Sequence, residues 1–400
     1  MLALVWLLYA TFGMGSRAIA PLVTPILKDL ALSYGQMGFI LGSWQFMYVF
    51  TSLVAGTILD RWGIRWSLLL GILIVSFSLL FRSFAGSFLS LLLMVVVFGA
   101  GASIISIGTP KAIALWFNGK DRGTATGLCM TGPGIGYLIA LTITNSLLMP
   151  LTGFSWRLTF ASYGLFAFGV ALLWFVFTGG VRMRSSTNRY AIPRVLHELA
   201  KVRNVRVLAL LGLCSFAIMH GWNNWAPKIL ESAGLSPVWA ANAASISVVS
   251  GIASAIFLPR LIPSFWRARF VGILALLAAT SGWLVTHTVG PGVFLGLVLI
   301  GVAGGCFLPL EMLILMETPG VDAKYLGTAG GLFFSVAQVG GVCSPLAIGF
   351  LVDASQTFRS AAYLITFLAI MIFLLTLLID GKPSLLKLEE EPAGGSPFDS

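Results

Sequence analysis

The sequence is built from apolar runs of membrane-spanning length, set apart by short breaks that carry charge and helix stoppers. A helix needs roughly 20 apolar residues to cross the hydrocarbon core of a bilayer. Read at that length, the runs predict twelve helical spans, at 2–27, 36–59, 66–84, 88–112, 123–149, 157–179, 206–230, 238–259, 270–287, 291–316, 325–352 and 360–379. The breaks include Lys28-Asp29, Asp60-Arg61-Trp62-Gly63, Asn118-Gly119-Lys120-Asp121-Arg122 and Pro319-Gly320. Within lipid a backbone has to satisfy its own hydrogen bonds, so helices are the expected form.

Composition points the same way. Hydrophobic residues make up 58% of the 400 and charged residues 10%, against about 25% charged in a soluble domain. A chain this apolar takes lipid as its solvent. Twelve spans leave short loops and no room for a soluble domain. A net charge of +10 could suit nucleic acid. The basic residues lie between the apolar runs, however, which makes them topology signals and excludes that partner. Cys129, Cys214, Cys306 and Cys343 all lie within apolar runs, with no CxxC pair, and are expected to be buried and inert. The opening MLALVWLLYA starts a run too long for a signal-peptide core, and no convincing cleavage site follows. It is expected to stay as the first span, with a short or mis-assigned start as the reason for its missing head.

One set of loops holds Arg61, Arg65, Lys120, Arg122, the 181–206 stretch, Arg260, Arg267, Arg269, Lys382 and Lys387. The other holds only Lys28, Arg82, Arg157, Lys228 and Arg359. The first set is therefore expected to be cytoplasmic, with both termini inside and the protein in a bacterial-type inner membrane. The organisation expected is a six-helix bundle over 1–180, a basic cytoplasmic linker over 181–205, a second six-helix bundle over 206–380, and a disordered cytoplasmic tail over 381–400. The linker carries Arg182, Arg184, Arg189, Arg194, Lys201 and Arg203 against Glu198, and part of it is expected to lie as a helix on anionic headgroups.

The two halves repeat. Gly123-Thr124-Ala125-Thr126-Gly127-Leu128 opens span five and Gly327-Thr328-Ala329-Gly330-Gly331-Leu332 opens span eleven, with Gly136 and Gly340 in the same register. Two matching bundles in one orientation place a site between them, near the midplane.

With these features the chain resembles the major facilitator superfamily over essentially its whole length. Gly56-Thr57-Ile58-Leu59-Asp60-Arg61-Trp62-Gly63-Ile64-Arg65 is similar to the family's loop signature G-x-L-A-D-R-x-G-R-R, with Leu59 and Ile64 as departures. Trp116-Phe117 with Lys120-Asp121-Arg122-Gly123 resembles its junction between spans four and five. Trp156-Arg157-Leu158-Thr159-Phe160 resembles the start of its span six. The resemblance implies a fold of two pseudo-symmetric six-helix bundles. It implies a gating role for Asp60, Arg61, Gly63, Arg65 and Arg122, and helix anchoring by Arg157. Gly132-Pro133-Gly134-Ile135-Gly136 partly resembles the G-P-x-x-G-G signature of drug/proton antiporters, with Tyr137 in place of the last glycine. Small residues for tight packing account for it equally well.

Ionisable groups inside spans are costly, so each raises a functional question. Arg17 sits well inside span one, and its spacing to Pro25 resembles the first-span pattern of the organic-anion and organic-phosphate branches, while the overall look is most similar to the cyanate and organic-anion (anion:cation symporter-like, monocarboxylate-like) branches. A guanidinium there is a bidentate seat for a carboxylate or phosphate; outward snorkelling is the alternative. His220, in the symmetry-related span seven, stands in His220-Gly221-Trp222-Asn223-Asn224-Trp225-Ala226-Pro227. It could bind the anion or couple to protons, or simply pack. Asn223, Asn224, Gln45, Gln338, Tyr48 and Tyr137 are candidate lining residues, with Trp44 and Trp222 shaping the cavity. Lys111 and Glu311 each follow a proline in spans four and ten. They could pair as an inner gate, or Glu311 could carry a coupling proton.

No ATP-binding loop, zinc-type cluster or nucleophile triad is present, so the chain is expected to be no enzyme, to need no cofactor or metal, and to run on gradients. The function expected is secondary transport of a small organic anion by alternating access, with a proton or counter-anion as the coupling species, by a monomer in the bilayer. Efflux of apolar drugs by proton antiport is the alternative, followed by a non-transporting membrane sensor.

Overall fold

A computed structural model describes residues 1–117, 119–178, 192–288, 290–321 and 325–379, and within these every regular element is a helix. Residues 181–191 of the expected linker and the tail from 380 onward lie outside the described residues. The membrane helices are α1 (Leu2–Asp29), α2 (34–62), α3 (64–82), α4 (Phe88–Trp116), α5 (Asp121–Leu151), α6 (Trp156–Phe177), α7 (Arg203–Ser232), α8 (Pro237–Leu261), α9 (Ser264–His287), α10 (Pro291–Met316), α11 (Leu326–Ser355) and α12 (Arg359–Thr376). Helices α2 and α3 form one hydrogen-bonded run, Tyr34–Arg82, that changes direction at Gly63. Gly63 has φ 75° and ψ 164°, a conformation open to glycine and strained for any other residue, so the signature loop turns there. Eleven helical segments qualify as spans on length and apolarity, one of them Val54–Arg82, which runs across the Gly63 turn. At about 1.5 Å per residue, 34–62 and 64–82 are each at least about as long as the hydrocarbon core is thick. Helices stand where the twelve spans were expected, with ends shifted by a few residues.

Local chemistry sets the helix starts. Ser33 with Gln36 and Ser87 with Ser90 form capping boxes at α2 and α4, and Ser155 and Ser236 cap α6 and α8. Large apolar side chains such as Phe46, Phe50, Phe77, Leu165 and Phe257 are exposed along the spans, as lipid-facing surface requires.

Lipid does not drive helices together by a hydrophobic force, so they rely on close backbone approach at small residues. The repeat shows this directly. A Cβ on Gly136 of α5 would lie 1.9 Å from the Ala10 carbonyl oxygen of α1, and a Cβ on Gly340 of α11 would lie 1.9 Å from the Leu213 carbonyl oxygen of α7. Each half therefore packs its fifth helix on its first in the same way.

The halves close on one face. There, Tyr34 packs on Trp225 and Phe358, and Gly38 and Gly42 of α2 sit against the backbone of α11 at Pro345 and Val342. The Asn145 amide, in a π-helical turn at Thr144–Leu148, donates to the Pro21 and Pro237 carbonyls at 3.1 Å each. At the opposite face, which carries the basic loops, the first turns of α5 and α11 stand apart. Added Cβ atoms at Gly123, Gly127, Gly327, Gly330 and Gly331 would meet nothing within 4 Å. We refer to these as the sealed and open faces.

Three sequence expectations need correction. Arg82, expected in a loop, ends α3 fully buried, with its guanidinium over the rings of Phe98 and Phe160 at 5.1 and 5.6 Å and near the Gly15 carbonyl. Aromatic faces and a carbonyl give it a seat that helix-end position alone could not reveal. Cys343 is exposed, whereas the other three cysteines are buried. Lys111 does not pair with Glu311. Its ammonium bonds the Asp60 carboxylate at the open end of α2, because α4 packs against α2 and α3 in its own half while the halves are apart at this face.

Candidate functional site

At mid-depth, α1 and α7 bring their two basic side chains face to face. The Arg17 Nη2 group lies 2.8 Å from Nδ1 of His220, and the two residues occupy matching places in the repeat, 203 positions apart. Only 7% of Arg17 and 5% of His220 is exposed. A guanidinium can only donate, so Nδ1 has to accept, which puts the ring proton on Nε2. The Gln45 amide nitrogen of α2 also reaches Nδ1, at 2.7 Å, and the Gly341 carbonyl at 3.3 Å. One imidazole lone pair thus faces two donors.

The surroundings are aromatic and uncharged. Tyr137 of α5 sets its ring 5.8 Å from the guanidinium carbon and donates its hydroxyl to the Asn223 carbonyl of α7 at 2.9 Å. Trp44 and Phe216 stand edge-on or tilted to the His220 ring at 6.2 and 5.6 Å. The residue matching Tyr137 in the second half is Gly341. A Cβ there would lie 3.0 Å from His220 Cδ2 and 3.4 Å from the Gln338 Oε1. The repeat is therefore asymmetric at this point: a ring covers the arginine, and bare backbone packs closely against the histidine.

Four buried polar atoms in this cluster have no protein partner: Arg17 Nη1, Trp44 Nε1, Gln45 Oε1 and Gln338 Oε1. Two are donors and two are acceptors. Arg17 carries its positive charge with no acidic side chain bonded to it among the described residues. Such groups cost several kcal/mol each in a water-poor interior unless something answers them.

Of the other expected lining residues, Tyr48 is half-buried one turn toward the open face and bonds Ser106 of α4 at 2.7 Å. Asn224 donates to its own helix at the His220 carbonyl, 2.9 Å away, and so braces the histidine's turn. Asn223 lends its backbone carbonyl to Tyr137. Trp222 donates to Ser247 of α8 at 3.1 Å. Glu311 of α10 is wholly buried. Its Oε2 accepts from Ser215 of α7 at 3.1 Å and its Oε1 has no partner.

At the open face Arg61 and Arg122 are exposed. Arg65 donates to the Phe175 carbonyl at 3.1 Å and lies over the Trp66 and Phe175 rings, tying α3 to α6. At the sealed face Arg157 bonds Asp29 at 2.5 Å and the Ala85 carbonyl at 3.0 Å, joining the starts and ends of α1, α4 and α6.

Sequence reasoning missed Asn145, Thr24, Glu231 and Asp353, and read Lys228 only as a loop charge. Thr24 of α1 is bonded by both Lys228 and Glu231 of α7. Only the polarity of Asn145 within an apolar run could have flagged it.

A polytopic helical protein whose two matching halves enclose a charged site, shut from one face, is a membrane carrier. The chain belongs to the Major Facilitator Superfamily, whose family model matches residues 5–341. It is a transporter and not an enzyme. It is 26% identical to the hexuronate transporter of Bacillus subtilis over 92% of each chain. It is 25% identical to the protein named Probable galactarate/D-glucarate transporter GudP of the same organism, over 91% of this chain and 88% of that one. Among solved structures it resembles a nucleoside transporter with a TM-score of 0.79 at 15% identity, covering 94% of this chain and 99% of that one. A bacterial homologue of the human lysosomal transporter Spinster, inward-facing and unoccupied, gives 0.75 at 17% identity, over 94% and 96%.

Proposed function

We propose that the protein is a secondary carrier for a small hydroxylated organic anion, of the sugar-acid type. The observation that carries this reading is the Arg17 guanidinium, buried between the halves with Nη1 unpartnered and, among the described residues, no carboxylate bonded to it. A carboxylate from a solute would complete it in bidentate fashion. The unanswered acceptors Gln45 Oε1 and Gln338 Oε1 cannot bind a carboxylate. They call for donors, which hydroxyl groups next to the carboxylate supply. Trp44 Nε1 would donate to a further oxygen. Two relatives are named for solutes of this chemistry, one as a hexuronate transporter and one as a probable galactarate/D-glucarate transporter.

Alternating access would run by rocking of the two halves about this site. The positive-inside rule makes the open, basic face cytoplasmic, with both termini inside and the protein in the inner membrane. Asp60, Arg61, Arg65, Arg122 and Lys111 then form the cytoplasmic gate. Glu311 is the candidate proton carrier, being a carboxyl group with one unpartnered oxygen and no cation bonded to it among the described residues. A single chain holds the entire site, so a monomer suffices.

The test is uptake of labelled glucuronate and glucarate into proteoliposomes under an imposed proton gradient. Saturable uptake, competed by sugar acids and strongly weakened in Arg17→Ala, is expected. Dye extrusion that persists in Arg17→Ala, with no sugar-acid uptake in the parent protein, would reject the anion reading in favour of efflux.

A further inference from the structure

Helix α2 starts at the sealed face, and its first turn is held by the other half of the molecule. Ser33 and Gln36 make the local capping box. Beyond it, the Tyr34 N–H donates to Asp353 Oδ1 at 2.9 Å and the Gly35 N–H to Asp353 Oδ2 at 2.7 Å. Asp353 stands on the last turns of α11. Its carboxylate therefore grips two successive free amides at the positive end of a long helix, an arrangement in which charge and hydrogen bonding reinforce each other.

The fit around this contact is tight. A Cβ on Gly349 of α11 would lie 2.2 Å from the Tyr34 carbonyl oxygen, and a Cβ on Gly35 would lie 2.9 Å from the Phe350 ring and 3.0 Å from Asp353 Oδ2. The two backbones approach closely enough for the carboxylate to reach both amides. At the open face the same two helices are apart. There Asp60, near the other end of α2, bonds Lys111 within its own half, and the first turn of α11 faces open space.

We propose that Asp353 is the latch of the sealed face: a positioning residue whose grip on the α2 N-terminus sets how often that face opens. The neighbouring cross-half ties are of other kinds, a neutral amide to two carbonyls at Asn145 and the Thr24 hydroxyl between Lys228 and Glu231. Asp353 brings a full negative charge onto a helix end. When the halves part, both the carboxylate and the two amides pass to water, which accepts them readily. The contact can thus be made and broken reversibly. The proposal rests on the alternating-access part of the functional reading and is independent of the solute.

The test uses spin labels on the two halves at the sealed face, at Phe84→Cys and Tyr363→Cys, in the full chain with Cys343→Ser, read by pulsed electron resonance without solute. The parent is expected to show mainly the short, closed distance. Asp353→Ala is expected to raise the ratio of open to closed molecules on the order of tenfold. Asp353→Asn is expected to shift it less, because its amide nitrogen must face a backbone donor and at least one bond is lost. Unchanged distance distributions in both variants overturn the latch, even if the melting temperature falls, since a merely structural role would lower stability without moving the distances. Should Asp353→Ala not yield monodisperse protein, Asp353→Asn decides alone. Because no solute is present, failure of the anion reading would leave this result standing.

Discussion

Arg17 and His220 meet across the interface between the halves, with Nη2 2.8 Å from Nδ1 at matching positions of the internal repeat. The second arm of the guanidinium, Nη1, is buried and unanswered. Removing the side chain should remove the anion's principal contact. A charge-assisted bidentate contact worth about 3 kcal/mol corresponds to roughly 100-fold in affinity. Arg17→Ala is expected to raise the half-saturating concentration for uptake by that order. Arg17→Lys is expected to recover only part of it, because an ammonium cannot reproduce the planar fork. Uptake kinetics in proteoliposomes check both.

Gly341→Ala is expected to weaken sugar-acid binding while leaving a short unsubstituted carboxylate such as acetate less affected. The new methyl would lie 3.0 Å from the His220 ring and 3.4 Å from Gln338 Oε1, and would displace the acceptor that the hydroxyl groups are proposed to reach. Competition assays with acids of increasing length measure this. Equal loss for all acids would place the polyol elsewhere.

Glu311→Gln separates coupling from translocation. If Glu311 carries the proton, the variant is expected to retain solute exchange across the membrane while losing uphill uptake driven by a proton gradient. Retained accumulation in Glu311→Gln would remove the carboxyl from the coupling role. Ser215→Ala, which deletes the 3.1 Å hydrogen bond to Glu311, should show the same split more weakly.

Gly136→Val and Gly340→Val should both destabilise the protein, and to a similar degree. Each puts a branched side chain where even a Cβ would lie 1.9 Å from a facing carbonyl oxygen. Overpacking a tight contact costs about 1–3 kcal/mol or more. Thermal melting in detergent checks the direction, and the match between the two variants checks the repeat.

The spans, the repeat and the arginine in span one were legible in the sequence because each depends on local physics. Apolar length, helix stoppers and the cost of charge in lipid act on neighbouring residues. What could not be read were the partners. Lys111 went to Asp60 and Glu311 to Ser215, Asp353 of α11 took the amides of Tyr34 and Gly35, and Arg82 found aromatic faces instead of water. These contacts join residues from sixteen to more than three hundred positions apart. Which of them form depends on helix rotation, on how closely glycines let backbones approach, and on which face is shut, and only the packed tertiary structure sets those.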